Sequence, residues 1–295
     1  MALAGLELGL RKPTDITVDP GYFSLPNSTH QFRDWKHGGH GLVDMRRAIA
    51  QSCDTYFYKL AFDMGIDRMH DYLAKFGFGE KTGIDLDGES PGLLPSREWK
   101  QRRWKKEWYP GETVIAGIGQ GYHLATPLQL AAAVAMIANG GKRIEPRLVQ
   151  AVRDPFTHAW QPQPVAVRGQ LALRPEDLAV IRQGMMDAMR PGGTAAAAAA
   201  GAPYTIAGKT GTAQVVGIKQ GARYDAATLS RKNRDHALFI AYAPAENPTI
   251  AVAVLVENGG HGGSAAAPIA RAVFDYYLTG KRPGKIQPEG SDASD

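Results

Sequence analysis

Apolar residues at Leu42, Met45, Ile49, Cys53, Tyr56 and Leu60 recur at three and four positions, which predicts one helix over 41–64 with a single buried stripe. A second helix is expected over 67–76, stopped by Gly77 and Gly79. Residues 127–139 are strongly apolar, open on Pro127 and run into Gly140 and Gly141, the start and stop signals of a buried helix. Further helices are predicted over 175–189 and 265–278, and a short one over the alanine run 195–200, where helix propensity is high. The pattern changes to alternation over 236–243 and to a run of Val, Ile and Leu over 249–257, both read as strands. Residues 204–207 lead into a third strand, and 147–153 give strand-like pieces. By contrast, 14–40 is rich in Pro, Gly, Asn and Asp with little period, a long loop region of the kind that carries function, and 83–95 is loop as well. Successive strands joined by turns imply an antiparallel sheet covered by helices on either face, an α/β fold of the α+β kind.

Composition sets limits on this picture. A chain of 295 residues, 44% hydrophobic and 21% charged, has enough material for one large core or two smaller ones. A net charge of +5 suits anionic substrates or surfaces and falls short of demanding nucleic acid. The run 97–106 interleaves Arg and Lys with Trp99 and Trp104, but it is short and isolated. It reads as a solvated surface segment with its tryptophans anchored in the core, not as a nucleic-acid site. No stretch approaches the eighteen or so apolar residues of a membrane span; 130–138 is about half that length. Residues 1–10 resemble the middle of a core helix rather than a signal peptide, so the natural chain is expected to extend upstream. Residues 280–295 are polar and expected to be disordered. Cys53 stands alone, which excludes an internal disulfide and leaves a buried thiol or a metal ligand. His123 reads as a hydrogen-bonded structural histidine, and the brief "GIGQG" lacks the strand and helix of a dinucleotide site.

The chemistry concentrates in "IAGKTGTAQ", residues 206–214. A phosphate-binding P-loop would need glycine at 203, where Pro203 has a fixed φ and no amide hydrogen, and strand rather than helix follows. Lys-Thr-Gly can instead be the substrate strand of a serine acyltransferase. There the lysine supplies positive charge opposite a substrate carboxylate, the glycine keeps the strand face open, and the next residue lends an amide to the oxyanion. The earlier Lys81-Thr82-Gly83 lies between helix and loop and reads as a coincidence. Upstream, Ser52-Cys53-Asp54 is the candidate Ser-x-Asn-like triplet, weak evidence by itself.

Three blocks in order, "AIAQSCDTYFYKLA", "PGETVIAGIGQGYHLATPLQLAAAVAMIANGG" and "IAGKTGTAQ", resemble the transpeptidase domain of the elongation-specific class B penicillin-binding proteins, the penicillin-binding protein 2 family. The likeness runs from residue 2 to about 279, so 1–279 is expected to be a transpeptidase domain lacking its N-terminal part. It implies about five antiparallel strands flanked by helices with a helical subdomain, and D,D-transpeptidation of peptidoglycan stem peptides through an acyl-enzyme that β-lactams also form. Ser52 would relay protons near the leaving amine, Asp54 would hold a position usually filled by asparagine, Lys209 and Thr210 would face the substrate carboxylate, and Gly211 and Thr212 would complete the binding strand. The resemblance also implies glycosyltransferase and scaffold partners and a site on the periplasmic face of the inner membrane, with an anchor upstream. One departure matters. No serine here has a lysine three residues on, so the family's nucleophilic Ser-x-x-Lys is missing and the polypeptide is expected to be inert. A noncatalytic sensor or scaffold, or a β-lactamase-like hydrolase, would share the fold.

The same resemblance implies structural zinc. Some of these proteins hold zinc through two aspartates, a histidine and a cysteine in this region, and Asp19, Asp34, His40 and Cys53 stand in matching order. Those donor types suit a closed tetrahedral site. No organic cofactor is implied.

Overall fold

The computed structural model describes residues 1–217, 229–282 and 284; most of the tail expected to be disordered lies outside them. Helix α1, Ala2–Glu7, is buried along most of its length, as a core helix must be. The loop region that follows forms four short strands, β1 at Thr17–Asp19, β2 at Tyr22–Phe23, β3 at Phe32–Arg33 and β4 at Gly41–Val43. They pair as two antiparallel ribbons, β1 with β4 and β2 with β3.

The helix expected over 41–64 is not continuous. Its first residues belong to β4, and Leu42 is 62% exposed. Asp44 then caps α2, Met45–Gln51, accepting from the Arg47 amide at 2.8 Å, so the helix starts only at Met45. Ser52 takes the left-handed conformation, φ 55°, and Cys53 is extended before α3, Asp54–Met64, begins. The buried stripe survives the break because Met45, Ile49, Cys53, Tyr56 and Leu60 all face one core. Periodicity therefore does not register the turn.

Helix α4, Ile66–Ala74, follows as expected. In the segment after it, the Thr82 and Gly83 amides donate to Glu89 at 2.8 and 3.1 Å, so the first Lys-Thr-Gly lies in a loop closed by that carboxylate. The basic run forms α5, Arg97–Trp104, and here the anchoring is the reverse of expectation. Lys100 is buried and Trp104 is 52% exposed. The Lys100 ammonium reaches both carboxylate oxygens of Glu112 at 2.6 Å from α6, Pro110–Ala116, and the ion pair makes burial of the charge tolerable. His123 packs edge-on against Phe78, and burial lowers its pKa to about 4.

Helix α7, Pro127–Ala138, has the predicted limits, with Thr126 and Gln129 capping each other. Two ribbons follow, β5 at Lys142–Ile144 with β8 at Val167–Gln170, and β6 at Ala151–Arg153 with β7 at Trp160–Pro162. The strand pieces expected over 147–153 shrink to β6 because the Leu148 and Val149 amides donate to the Asp85 carboxylate, at 2.6 and 2.9 Å. Helices α8, Pro175–Asp187, and α9, Ala196–Ala199, come next.

The principal sheet is antiparallel and ordered β11-β10-β9, from β9 at Ala207–Ala213, β10 at His236–Ala243 and β11 at Ile250–Val256. Among the described residues it has three strands, where the resemblance implies about five. Strand period decides its two faces. Ala237, Phe239, Ala241 and Ala243 join the cluster containing Phe274 of α10, Ala267–Thr279. Ile240 and Tyr242 face the larger cluster of α1, α2, α3, α7 and α8. Helices thus cover both faces, and no helix among the described residues is long and apolar enough to cross a membrane.

One contact fixes how α6 meets α3. A Cβ built on Gly117 would lie 2.3 Å from Ala61 Cβ and 3.1 Å from the Phe57 carbonyl. We therefore expect Gly117→Ala to lower unfolding free energy by about 1–3 kcal/mol in urea denaturation, the usual cost of overpacking. An unchanged midpoint would show that the crossing is looser than this.

Candidate active site

The break between α2 and α3 turns Ser52 toward the strand that carries Lys-Thr-Gly. Lys209 Nζ donates to Ser52 Oγ, across 157 residues of sequence, and to the Thr210 carbonyl at 2.8 Å. Asp54 opens α3, where its negative charge meets the positive helix end. Burial, and next the charge of Asp34, raise Asp54 to about pKa 7, and the charge of Lys209 works in the other direction. Burial lowers Lys209 to about 8 and Asp54 partly offsets this. Lys209 thus bonds to Ser52, and Asp54 lies close enough for its charge to act on that lysine; all three candidate catalytic residues are half-buried.

The binding-strand residues diverge. Thr210 Oγ1 donates to Thr194 Oγ1 at 2.9 Å, and Thr212 is exposed. Gly211 lies under the turn before α10. A Cβ on Gly262 would come 2.1 Å from the Leu238 carbonyl and 2.7 Å from that of Gly211, so the turn sits directly on the sheet. Two residues of this neighbourhood escape a reading of the sequence. Thr194 is only the flank of an alanine run, and Gln120 only the fourth residue of "GIGQG". Gln120 Nε2 donates to the Thr212 carbonyl at 2.6 Å, and its Oε1 accepts from the Gln214 amide at 3.3 Å. Their one signal was adjacent glycines.

Behind the triplet, Asp19, Asp34, His40 and Cys53 come together, all buried, with one ligand atom from each within 4.8 Å of the others. Tetrahedral zinc with bonds of about 2.0–2.3 Å needs ligand atoms roughly 3.3–3.8 Å apart, so a small contraction would suffice. The donor chemistry fits a cation. Asp19 Oδ2 lies 2.8 Å from His40 Nδ1 and accepts from Cys53 Sγ at 3.4 Å, and Asp34 Oδ1 is 3.4 Å from the same ring nitrogen. Two carboxylates thus share one imidazole nitrogen and one of them also takes the thiol, while His40 Nε2 is buried without a partner. Burial, then the charges of Asp34 and Asp19, push the thiol far above its ordinary pKa, the strain a divalent ion would relieve. The cluster also holds the triplet. Asp34 Oδ2 accepts from the Thr55 amide at 3.0 Å, while Asp54 Oδ2 accepts from the Trp35 amide at 3.0 Å.

The family model of the penicillin binding protein transpeptidase domain matches residues 1–275, and the chain belongs to that family. Over 292 residues it is 48% identical to the peptidoglycan D,D-transpeptidase MrdA of Acinetobacter baumannii, covering 97% of this chain and 42% of that protein. The chain therefore spans less than half the length of this relative. The crystal structure of Pseudomonas aeruginosa PBP2 in complex with WCK 5153 superposes with a TM-score of 0.83 at 44% identity, covering 99% of this chain and 61% of that one. A complex of Helicobacter pylori PBP2 with MreC gives a TM-score of 0.78 at 33% identity, covering 95% and 48%.

Lys209 makes a pH prediction. Its folded pKa, about 8, lies below the ordinary 10.5, so between these values the unfolded chain holds a proton that the folded chain has released. This group's contribution to stability rises with pH across that window. The difference in unfolding free energy between the parent and Lys209→Met is expected to shift in the parent's favour from pH 8 to 10.5. A pH-independent difference would mean an ordinary lysine.

Proposed function

We propose that this chain is the substrate-binding part of a peptidoglycan D,D-transpeptidase, with β9 as the strand against which a stem peptide lies. The contact of Lys209 with Ser52 carries this reading, because it joins the Lys-Thr-Gly strand to the Ser-x-Asp turn in one cluster. In the proposed arrangement the Lys209 ammonium and Thr210 hydroxyl bind the terminal carboxylate of the peptide. Ser52 passes a proton toward the leaving amine, with Lys209 on its oxygen and Asp54 beside that lysine. The Thr212 amide serves the oxyanion, and Gly211 admits the close approach of the peptide.

Acyl transfer also requires an activated nucleophile, and no serine in this sequence precedes a lysine by three residues. Incubation of the 295-residue chain with a fluorescent penicillin is accordingly expected to leave no adduct that survives denaturation. An adduct mapped to Ser52 would show instead that Ser52 and Lys209 act as nucleophile and base.

The proposal includes zinc held by Asp19, Asp34, His40 and Cys53, supported by the orphaned His40 Nε2 and the charge of the buried cluster. The ion would be structural, supplying charge that joins the 14–40 loop to the triplet. Metal analysis of the purified chain should find about one zinc per chain, lost in Cys53→Ser together with several degrees of melting temperature. A metal-free parent of the same stability would remove zinc from the proposal. By the same family reading, the domain works on the periplasmic face of the inner membrane with a wall-synthesising glycosyltransferase and a scaffold protein, as the MreC complex of the Helicobacter pylori neighbour suggests.

A further inference from the structure

Strand β9 is an edge strand. β10 takes one side, and the other carries no strand among the described residues. An open edge presents carbonyls and amides to any extended peptide. Here side chains already hold part of it. The Thr210 carbonyl accepts from Lys209 Nζ at 2.8 Å and the Thr212 carbonyl from Gln120 Nε2 at 2.6 Å. Gln120 returns the exchange by accepting from the Gln214 amide at 3.3 Å. A carboxamide carries a donor and an acceptor, as a peptide group does. Gln120 therefore gives Thr212 of β9 and Gln214, just past its end, the two hydrogen bonds that a neighbouring strand would give.

The loop is shaped for this. Gly119 and Gly121 have φ of 80° and 77°, a left-handed geometry that ends α6 and that side chains resist. Between them the Gln120 amide is tied to the Ile115 carbonyl at 3.2 Å. Glu112, one helical turn earlier, is fixed by Lys100 and by the Tyr109 amide at 2.8 Å.

We propose that Gln120 is a specificity-determining placeholder: its carboxamide occupies the rung of β9 that an extended acyl-D-alanyl-D-alanine peptide takes, and the peptide displaces it. The inference rests on β9 being the substrate strand. Displacement breaks two hydrogen bonds, and a ligand recovers them only by offering a donor to the Thr212 carbonyl and an acceptor to the Gln214 amide. Both groups sit on exposed residues, so a peptide lacking an amide at that point leaves them to water and binds less tightly than one that carries it.

The test is calorimetric titration of the 295-residue chain with diacetyl-L-lysyl-D-alanyl-D-alanine, alongside exchange of the Gln214 amide hydrogen. Removing the competitor in Gln120→Ala is expected to tighten binding about 3- to 10-fold, the value of one or two net hydrogen bonds. Gln120→Glu keeps the acceptor but has no donor, so it should also bind more tightly. In peptide-free Gln120→Ala the Gln214 amide should exchange faster than in the parent, and added peptide should protect it again. Unchanged or weaker binding in both variants, with parental melting temperatures, overturns the placeholder. Lys209→Ala separates the two ideas. If the parent binds, Lys209→Ala does not, and both Gln120 variants match the parent, the substrate strand stands and the placeholder falls. If the parent and both Gln120 variants all fail to bind, both ideas fall.

Discussion

The left-handed turn at Ser52 is held between two helices, and the surroundings of the Lys209 ammonium depend on that turn keeping its shape. A side chain in this conformation costs about 1–2 kcal/mol relative to continuing the helix. Neighbouring groups hold it there. The α2 cap, the exchange of hydrogen bonds between residues 34–35 and 54–55, and the buried Cys53 each fix one end of the turn. A straight helix through 41–64 would point Ser52, Cys53 and Asp54 in three directions roughly 100° apart. The break lets the hydroxyl meet the sheet while the thiol turns to Asp19.

Charge burial follows from the same geometry. Asp34 and Asp19 add their negative charge to that of Asp54 at the start of α3, and the Lys209 ammonium, which donates to Ser52 Oγ, acts on Asp54 as the opposite charge. Burial is the main reason why the acid is raised and the amine lowered, and the attraction between the two works against that approach. Away from the site, Lys100 and Glu112 repeat the device more simply, with aromatic rings of Trp108 and Tyr109 around the ammonium. That pair fixes α6, and α6 positions the loop that reaches β9.

Local patterns of the fold were readable from sequence because they are short-range. Strand β10 and helix α7 carry their alternation, caps and stops within a dozen residues, and the structure gives them nearly the predicted limits. Lys209 and Ser52 can be singled out as candidates because their chemistry is written as contiguous motifs. The break at Ser52 was hidden, since the buried positions on either side keep a helical spacing toward one core. Lys100 was misread because its partner is twelve residues away on another helix, and a run of charges looks solvated until that partner is placed. Gln120 meets Thr212 across 92 residues, and nothing in a pentapeptide of glycines names such a partner.

The position of β9 also bears on how the domain behaves among copies of itself. A free sheet edge is sticky in proportion to the length of uninterrupted backbone it offers. With Lys209 and Gln120 lying on the carbonyls at 210 and 212, the seven-residue edge offers another sheet no long flat run of groups to pair with. The two side chains that hold the edge are thereby also a safeguard against strand-to-strand polymerisation.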